Sequence, residues 1–473
     1  MVDGKVLAAR FAGAADFETR KVISGGNELE IFFLDGLTSG RDIADFIVRP
    51  LHEARQDERE ETLFTRAERG LVWCASMKKA SSTDEAAELL VNGFCVILFP
   101  KTGKALGCEV KTGEKRSPSA PEAENTVKGA KDAFTETLRT NTSLIRRHLR
   151  TPELRLEESV VGRRSLTKIT VCWVEGLTDP ELPARMKKRL GEIDIDGLLS
   201  PAAVEEYVTG ARKTAFPLLE FTERTDHFCQ GLLDGQVGLL VDGLPIGYLA
   251  PVSFGRLMRS PEDRATDYLS ASMLRILRYL ALGVSLLLPG IYAAMAMFHQ
   301  QMLPTKLLLS IVESKQDVPF STLFEVVGLL CAFELLQQAG LHLPQAIGTA
   351  VSIIGGLVVG TAAVDAKLVS PAALIVTASS GICGFTLPNR ELSDALRLWR
   401  LGLTVLGGVL GLFGVTAGLL LLLIKLAGLE SLGRSYLAPF GEAEVKGALV
   451  RERLAEQKWR DGMLRPIDER NQR

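Results

Sequence analysis

The sequence predicts an α/β soluble region of two similar subdomains, followed by an all-α membrane domain that crosses the bilayer several times. Three observations predict this fold class. Of the 473 residues 47% are hydrophobic, but nearly all charges lie before Tyr279 and after Lys425. Long uncharged runs fill the stretch between those two residues. The first half also contains an internal repeat, which indicates a duplicated unit.

The predicted domain boundaries follow the shift in composition. Residues 1–155 form the first soluble subdomain with a connecting helix, and residues 156–270 form the second. Residues 271–440 form the transmembrane helical domain, and residues 441–473 form a charged tail. A formal net charge of −2 gives no reason to expect nucleic acid as a partner. Because no apolar leader begins the chain, we expect the soluble region to stay in the cytosol.

The repeat is a strand that runs into an acidic–glycine turn. LDGLT at residues 34–38 aligns with VEGLT at 174–178, which lies 140 residues later. NGFCVILFP at 92–100 parallels DGQVGLLVDG at 234–243, and each is typical of the first strand of a hairpin. The near-constant offset predicts two subdomains with one strand order, in which Asp35 and Glu175 occupy equivalent positions.

Four uncharged runs are predicted membrane spans: 279–298, 343–364, 368–389 and 401–424. Each has about the 20 residues that a helix needs to cross roughly 30 Å of hydrocarbon. A fifth segment, 318–336, is apolar but contains Glu325 and Glu334. This segment either crosses with both acids turned toward protein or water, or lies at the membrane interface. Four and five spans therefore both fit, and the side of the C-terminal tail stays open.

Several residues of the membrane domain are candidates for function. Glu325 and Glu334 are candidate functional acids because an ionised group in hydrocarbon is costly. Pro289 lies inside the first span, where it frees a backbone carbonyl, and is a candidate hinge. Glycines at three- and four-residue spacings allow helices to approach closely, either within one subunit or in a homo-oligomer. These candidate packing residues are Gly356, Gly360, Gly407, Gly411 and Gly414.

The soluble region shows no catalytic, cofactor or metal motif. It lacks a nucleophile elbow, a P-loop and an H-E-x-x-H pair, and its cysteines form no C-x-x-C. We therefore expect neither an enzyme nor a resident cofactor. Arg163 and Arg164 are candidates for ion pairs that couple the two subdomains, with Glu223 or Asp226 as partners. A helix predicted at 126–148 has a basic end, which we interpret as a solvated face or as structural ion pairs.

Long stretches of the sequence resemble one family. They include GRRSLTKITVCWVEGLTDPEL, APVSFGRLMRSPEDR, RYLALGVSLLLPGIYAAMAMFHQQMLPTKLLLSI and LPQAIGTAVSIIGGLVVGTAAVDAKLVSP. With FTETLRTNTSLIRRHLRTPEL upstream, the chain resembles the A subunit of the GerA-type spore germinant receptors, including the related stage V sporulation AF proteins. One departure is FTERTD, which has Thr225 where the family usually has proline.

The resemblance implies a multi-pass protein of the spore inner membrane. It implies a transporter-like B subunit and a lipoprotein C subunit as partners, with membrane lipid around the helices. It also implies a homo-oligomer that acts as a nutrient-gated ion channel and releases monovalent cations as germination begins. The alternatives are a related sporulation-specific membrane protein that amplifies ion release without sensing nutrients, or a secondary transporter. A membrane-tethered enzyme is a further alternative.

Overall fold

The computed structural model describes most of the chain. The described residues are 1–54, 58–111, 128–210, 214–342, 360–440, 446–453, 455–460 and 462–471, with Pro121, Glu124 and Thr126. Gly356 and most of the predicted span at 343–364 lie outside the described residues.

Two five-stranded sheets form the soluble half, and neighbouring strands in each sheet are antiparallel. The first sheet has the order β1-β2-β4-β5-β3 and the second has the order β6-β7-β9-β10-β8. The strands of the first sheet are β1 Phe17–Ser24, β2 Asn27–Leu34, β3 Met77–Ala80, β4 Phe94–Phe99 and β5 Lys104–Glu109. Those of the second are β6 Leu154–Val161, β7 Thr167–Val174, β8 Glu220–Thr222, β9 Val237–Val241 and β10 Gly247–Ala250.

The duplication predicted from the sequence is confirmed by this shared strand order. Asp35 follows the second strand of the first sheet, and Glu175 follows the second strand of the other. The Asp35 amide donates to Asp16 O over 2.8 Å, and the Glu175 amide donates to Glu153 O over 2.9 Å. In both turns the glycine has a positive φ, at Gly36 and at Gly176. Such a φ favours glycine, which is why an acidic–glycine pair recurs there.

The α-helices of the soluble half are α1 Gly4–Arg10, α2 Gly40–Asp42, α3 Arg49–His52, α4 Glu60–Arg66, α5 Thr83–Val91, α6 Leu138–His148, α7 Glu181–Gly191, α8 Pro201–Thr209, α9 Thr225–Asp234, α10 Phe254–Leu257 and α11 Glu262–Ala265. Two π-helical turns, Ile43–Val48 and Ala67–Leu71, belong to the first unit. Pro201 occupies the first turn of α8, where Ser200 Oγ accepts a bond from the Ala203 amide and so caps the helix.

The predicted helix at 126–148 is shorter than expected, since α6 begins at Leu138. Its apolar side chains, among them Leu138 and Ile145, pack with Leu154 and Phe228 in the core of the second unit. The predicted boundary at residue 155 is therefore wrong, because it cuts β6 and assigns α6 to the first unit.

Charged side chains join the two soluble units. The Arg146 guanidinium of α6 donates through Nε and Nη2 to both carboxylate oxygens of Asp16, over 2.7 and 2.9 Å. Both side chains are 1% exposed. Beside this pair, the Ala15 amide donates to Leu156 O over 2.8 Å. The basic end of α6 thus forms a buried ion pair between the two units.

Arg163 and Arg164 do not contact their expected partners. Arg163 pairs with Asp194 over 2.5 Å, and Arg164 pairs with Asp196 over 3.6 Å. All four side chains are well exposed, and all belong to the second unit. The expected partner Asp226 instead pairs with Arg224. These arginines therefore order a surface loop of the second unit.

Helices make up the second half of the chain. They are α12 Tyr268–Met297, α13 Thr305–Lys315, α14 Thr322–His342, α15 Gly360–Asp365, α16 Pro371–Gly384, α17 Arg390–Leu410 and α18 Leu412–Ala427, with a 3₁₀ turn at Gln300–Met302. Two described stretches are long and apolar enough to cross a membrane, Tyr268–Met297 and Thr322–Ala339. Leu335, Phe413 and Ile424 are 72%, 73% and 68% exposed, which is typical of a surface in contact with lipid.

The predicted span at 401–424 is not one helix. The chain reverses at Gly411, where φ is +67°, so that α17 and α18 form a hairpin. Gly418 on the second arm lies against Leu403 and Leu406 on the first. Lys425 lies over the Trp399 ring, 5.9 Å from its centroid, and thus at the same end of the hairpin. The sequence did not predict this reversal because residues 401–424 are apolar without interruption.

The segment after the hairpin returns to the soluble half. It contains the short strands β11 Glu430–Ser431 and β12 Arg434–Ser435, then α19 Lys446–Leu449 and a 3₁₀ turn at Gly462–Leu464. Ser431 Oγ donates to Leu218 O over 2.6 Å, and the Ile467 amide donates to Leu177 O over 2.8 Å. The C-terminal tail therefore packs on the second soluble unit.

We expect Asp16→Asn to lower the free energy of unfolding by about 3 to 5 kcal/mol, because it leaves the Arg146 charge buried without its partner. The measurement is thermal and denaturant unfolding of the full chain in detergent. Asp194→Asn is the control, since its pair with Arg163 is exposed and worth about 1 kcal/mol or less. Equal losses in the two variants would show that the Asp16 pair does not join the units.

Candidate functional site in the membrane half

A network of polar side chains links four helices of the membrane half. Glu334 on α14 accepts from Arg400 Nη2 on α17 over 2.9 Å, and Arg397 Nη1 lies 3.4 Å from its second oxygen. Arg400 is 4% exposed, whereas Glu334 is 35% exposed. Arg397 also pairs with Asp394 over 3.1 Å. These four side chains carry two charges of each sign, so each buried charge has an opposite neighbour.

The network continues from Arg400 to the proline of the first membrane helix. Arg400 Nη1 lies 3.4 Å from Ser380 Oγ on α16, and Ser380 Oγ donates to Ser285 O on α12 over 2.7 Å. Ser285 is four residues before Pro289, which has no amide to donate to that carbonyl. The Ser380 hydroxyl thus satisfies the backbone group that the proline frees. Whether Pro289 acts as a hinge stays a prediction.

Glu325 lies in a separate contact at the other end of α14. Its carboxylate accepts from the Ser370 amide over 2.9 Å and from Ser370 Oγ over 2.8 Å, at the start of α16. Lys315 Nζ lies 3.2 Å from the other carboxylate oxygen. The Glu325 side chain is fully buried. Glu325 therefore holds the start of α16 in place, and its burial makes it inaccessible to an ion that passes along the surface of this chain.

Glycines allow two membrane helices to touch through their backbones. A Cβ added at Gly407 on α17 would lie 2.4 Å from Gly290 O on α12. Gly414 lies against Leu406 across the hairpin, where an added Cβ would be 2.1 Å from the Leu406 carbonyl oxygen. Gly411 forms the turn itself, and Gly360 has only ordinary contact with Leu374. The predicted packing glycines thus differ in what they do.

Two carboxylates meet where the membrane half contacts the soluble half. Glu391, in the first turn of α17, hydrogen-bonds to Glu205 of α8. Burial and the neighbouring charges of Glu205 and Asp394 raise the pKa of Glu391 to about 8. Burial also raises the pKa of Glu205. Because two ionised carboxylates repel each other at contact, we expect the pair to hold a proton between them near neutral pH.

Sequence reasoning missed the partners in these contacts. It identified both acids of α14 but not Arg400, Ser380 or Lys315, because these lie on other helices. The one sequence feature that indicated Arg400 is its position directly before a hydrophobic run. Among the described residues, no group of three or more His, Cys, Asp and Glu side chains is arranged to hold a metal ion.

We expect Gly407→Ala to destabilise the protein by about 1 to 3 kcal/mol, because the added methyl group overlaps the Gly290 carbonyl. Thermal unfolding in detergent measures this loss. Gly402→Ala is a matched control on the same helix, since nothing lies within 4 Å of an added Cβ there. Similar unfolding temperatures for the two variants would mean that α12 and α17 do not make this backbone contact.

We expect the unfolding temperature to fall as pH rises from about 5 to about 8. A carboxyl group whose pKa is raised by folding contributes its full stability below the unfolded pKa, and loses it as pH rises through the folded pKa. Glu391→Gln should flatten this fall, because the amide does not ionise. Glu192→Gln, an exposed acid directly after α7, is the control and should keep the wild-type slope. An unchanged slope in Glu391→Gln would contradict the shared proton.

Comparison with known proteins identifies the family. Residues 5–463 match the family described as Bacillus/Clostridium GerA spore germination protein. The chain is 34% identical over 427 residues to the membrane protein YfkQ of Bacillus subtilis (strain 168), across 89% of this chain and 82% of YfkQ. It is also 34% identical over 426 residues to spore germination protein KA of that organism, across 89% of this chain and 78% of the relative.

A solved structure resembles part of the chain. It is the N-terminal domain of the A subunit of the Bacillus megaterium spore germinant receptor GerK3. The identity is 24% and the TM-score 0.41, across 53% of this chain and 93% of that domain. The match to the family covers nearly the whole length, from the first soluble unit through the membrane helices to the tail. The chain therefore belongs to the GerA spore germination protein family.

Proposed function

We propose that this chain is the A subunit of a spore germinant receptor, and that copies of it form a channel that releases monovalent cations when a nutrient is sensed. The observation that carries the proposal is the polar network from Glu334 through Arg400 and Ser380 to Ser285. It runs across four helices in a region whose outer surface is apolar. Paired charges among lipid-facing helices are a usual feature of ion pathways.

Assembly into a homo-oligomer is supported by small residues that face open space. An added Cβ at Gly283 or Gly328 would meet nothing within 4 Å among the described residues of one copy. In lipid, helices associate through such small residues because the bilayer removes the hydrophobic drive. The same faces of neighbouring copies can then pack around an axis. Glu334, which is partly exposed, would repeat about that axis as a ring of charge.

The proposal places the soluble half and the C-terminal tail on one side of the membrane, the cytosol. The segment after the hairpin hydrogen-bonds to the second soluble unit through Ser431, and the tail does so through Ile467. Two segments in contact cannot lie on opposite faces of a bilayer, so the chain crosses an even number of times. In the family resemblance, a transporter-like B subunit senses the nutrient and a lipoprotein C subunit completes the receptor. The soluble units then act in coupling, without catalysis.

The test is potassium release from spores that carry Glu334→Gln, with protein abundance measured in parallel. Loss of this carboxylate leaves Arg397 and Arg400 with one acid, so the cluster gains a net positive charge and should repel cations. We expect release per molecule of protein to slow about tenfold, the effect of roughly 1.4 kcal/mol on a barrier. Abundance should also fall, because Arg400 is left buried without its partner. Arg397→Gln is the matched control, since it leaves the cluster negative and should not slow release.

Glu325→Gln tests whether the other acid, Glu325, has a structural role. We expect lower protein abundance, because the amide has one acceptor oxygen where the carboxylate binds both Ser370 and Lys315. Release per molecule should stay at the wild-type rate. Wild-type release in Glu334→Gln at wild-type abundance would reject a conducting role for this network. If deletion of the gene abolished release by a non-nutrient trigger as well, an amplifier of ion release would replace the receptor assignment.

A further inference from the structure

A cavity of about 1190 Å³ lies where the second soluble unit, the start of α12 and the C-terminal tail meet. Among the described residues, eight lysine and arginine side chains and five acidic side chains line it. Two of those acids are already occupied: Glu220 pairs with Arg256 and His227, and Asp234 pairs with Arg256 and Arg264. Taken together, basic side chains outnumber acidic ones by eight to five, so the described wall carries a net positive charge.

The part of the wall nearest the membrane is built on one buried carboxylate. Asp263, which is 1% exposed, accepts through Oδ2 from Arg275 Nε and from Arg278 Nη1, each over 2.9 Å. Arg451, from the tail, donates to the backbone carbonyls of Asp263 and Thr266. Among the described residues, the contacts of Arg451 include no carboxylate. Three arginines thus surround one acid.

Two of these arginines are at once buried and part of the cavity wall. Arg275 is 7% exposed and Arg451 is 8% exposed. A buried cation is costly unless an anion neutralises it, and one carboxylate cannot neutralise three guanidinium groups. An anion in the cavity would supply the missing charge. A guanidinium group presents a planar pair of N–H donors that matches the oxygens of a phosphate.

The position of the cavity matches a phosphate group at the membrane surface. The uncharged run of α12 begins at Tyr279, directly after Arg278 and one turn after Arg275. Basic side chains at this depth meet the headgroups of anionic phospholipids. The volume also exceeds what a single inorganic phosphate needs, and lies at the upper end of ligand cavities.

We propose that this cavity binds a phosphate group, held by Arg275 and Arg451 and carried either by an anionic lipid headgroup or by a soluble phosphorylated anion. The inference goes beyond the proposed channel and does not depend on it. In either form, the ligand bridges the second soluble unit, the first membrane helix and the tail. Its binding would therefore stabilise the contact between the soluble and membrane halves.

The experiment uses the full chain, purified in detergent or in nanodiscs, with thermal unfolding as the readout. One arm compares inorganic phosphate with chloride at equal ionic strength. The other compares nanodiscs of phosphatidylglycerol with nanodiscs of phosphatidylcholine. A ligand that binds the folded state raises the unfolding temperature. Stabilisation by phosphatidylglycerol alone identifies a lipid headgroup, and stabilisation by phosphate alone identifies a soluble anion.

Arg451→Gln should weaken the apparent affinity about tenfold or more, the loss expected for one hydrogen bond to a charged group. Arg163→Gln is the control, because Arg163 is exposed on the second unit and does not line the cavity. If Arg451→Gln fails to fold, Arg451→Lys, which keeps the charge but loses the planar pair of donors, takes its place. The proposal is overturned if neither phosphate nor phosphatidylglycerol raises the unfolding temperature of the wild-type protein. It is also overturned if the cavity variant that folds responds as strongly as the wild type.

Discussion

The pairing of buried charge is the constraint on which the membrane half depends. Arg400 is almost fully buried and can stay ionised there only because Glu334 accepts its hydrogen bond. That contact fixes α14 against α17, and the link through Ser380 to Ser285 fixes α16 against α12. One chain of contacts thus sets the positions of four helices. Where lipid gives helices no hydrophobic reason to associate, polar contacts and close glycine packing decide which faces meet.

The same rule operates at the borders between the parts of the molecule. Arg146 and Asp16 join the two soluble units out of contact with water. Glu205 and Glu391 meet at the border between the soluble and membrane halves, where burial and their mutual repulsion raise the pKa of both carboxyl groups. Each border therefore contains a group whose charge matters to the contact. A signal that changes protonation or ligand binding at such a border can change how the parts fit together.

The soluble half consists of two copies of one fold, but the two copies make different contacts with the rest of the chain. The first unit contacts the rest of the chain mainly through the second. The second unit receives α6 in its core and the C-terminal tail on its surface. It also contributes Phe216 and Leu218 to the apolar cluster that contains Leu392 and Leu396 of α17. The second unit is therefore the one through which the soluble region packs against the membrane helices.

The sequence by itself determined the two halves, the repeat, several of the membrane helices and the family. These features follow from the hydropathy pattern and from the residue types that local turns require. Both depend only on residues that are close together in the sequence. It also identified Glu325 and Glu334 as unusual. Only the tertiary structure decided that Glu325 anchors a helix start while Glu334 joins a network, because their partners lie on distant helices. The reversal at Gly411 was likewise decided by packing, since hydropathy is the same on both sides of it.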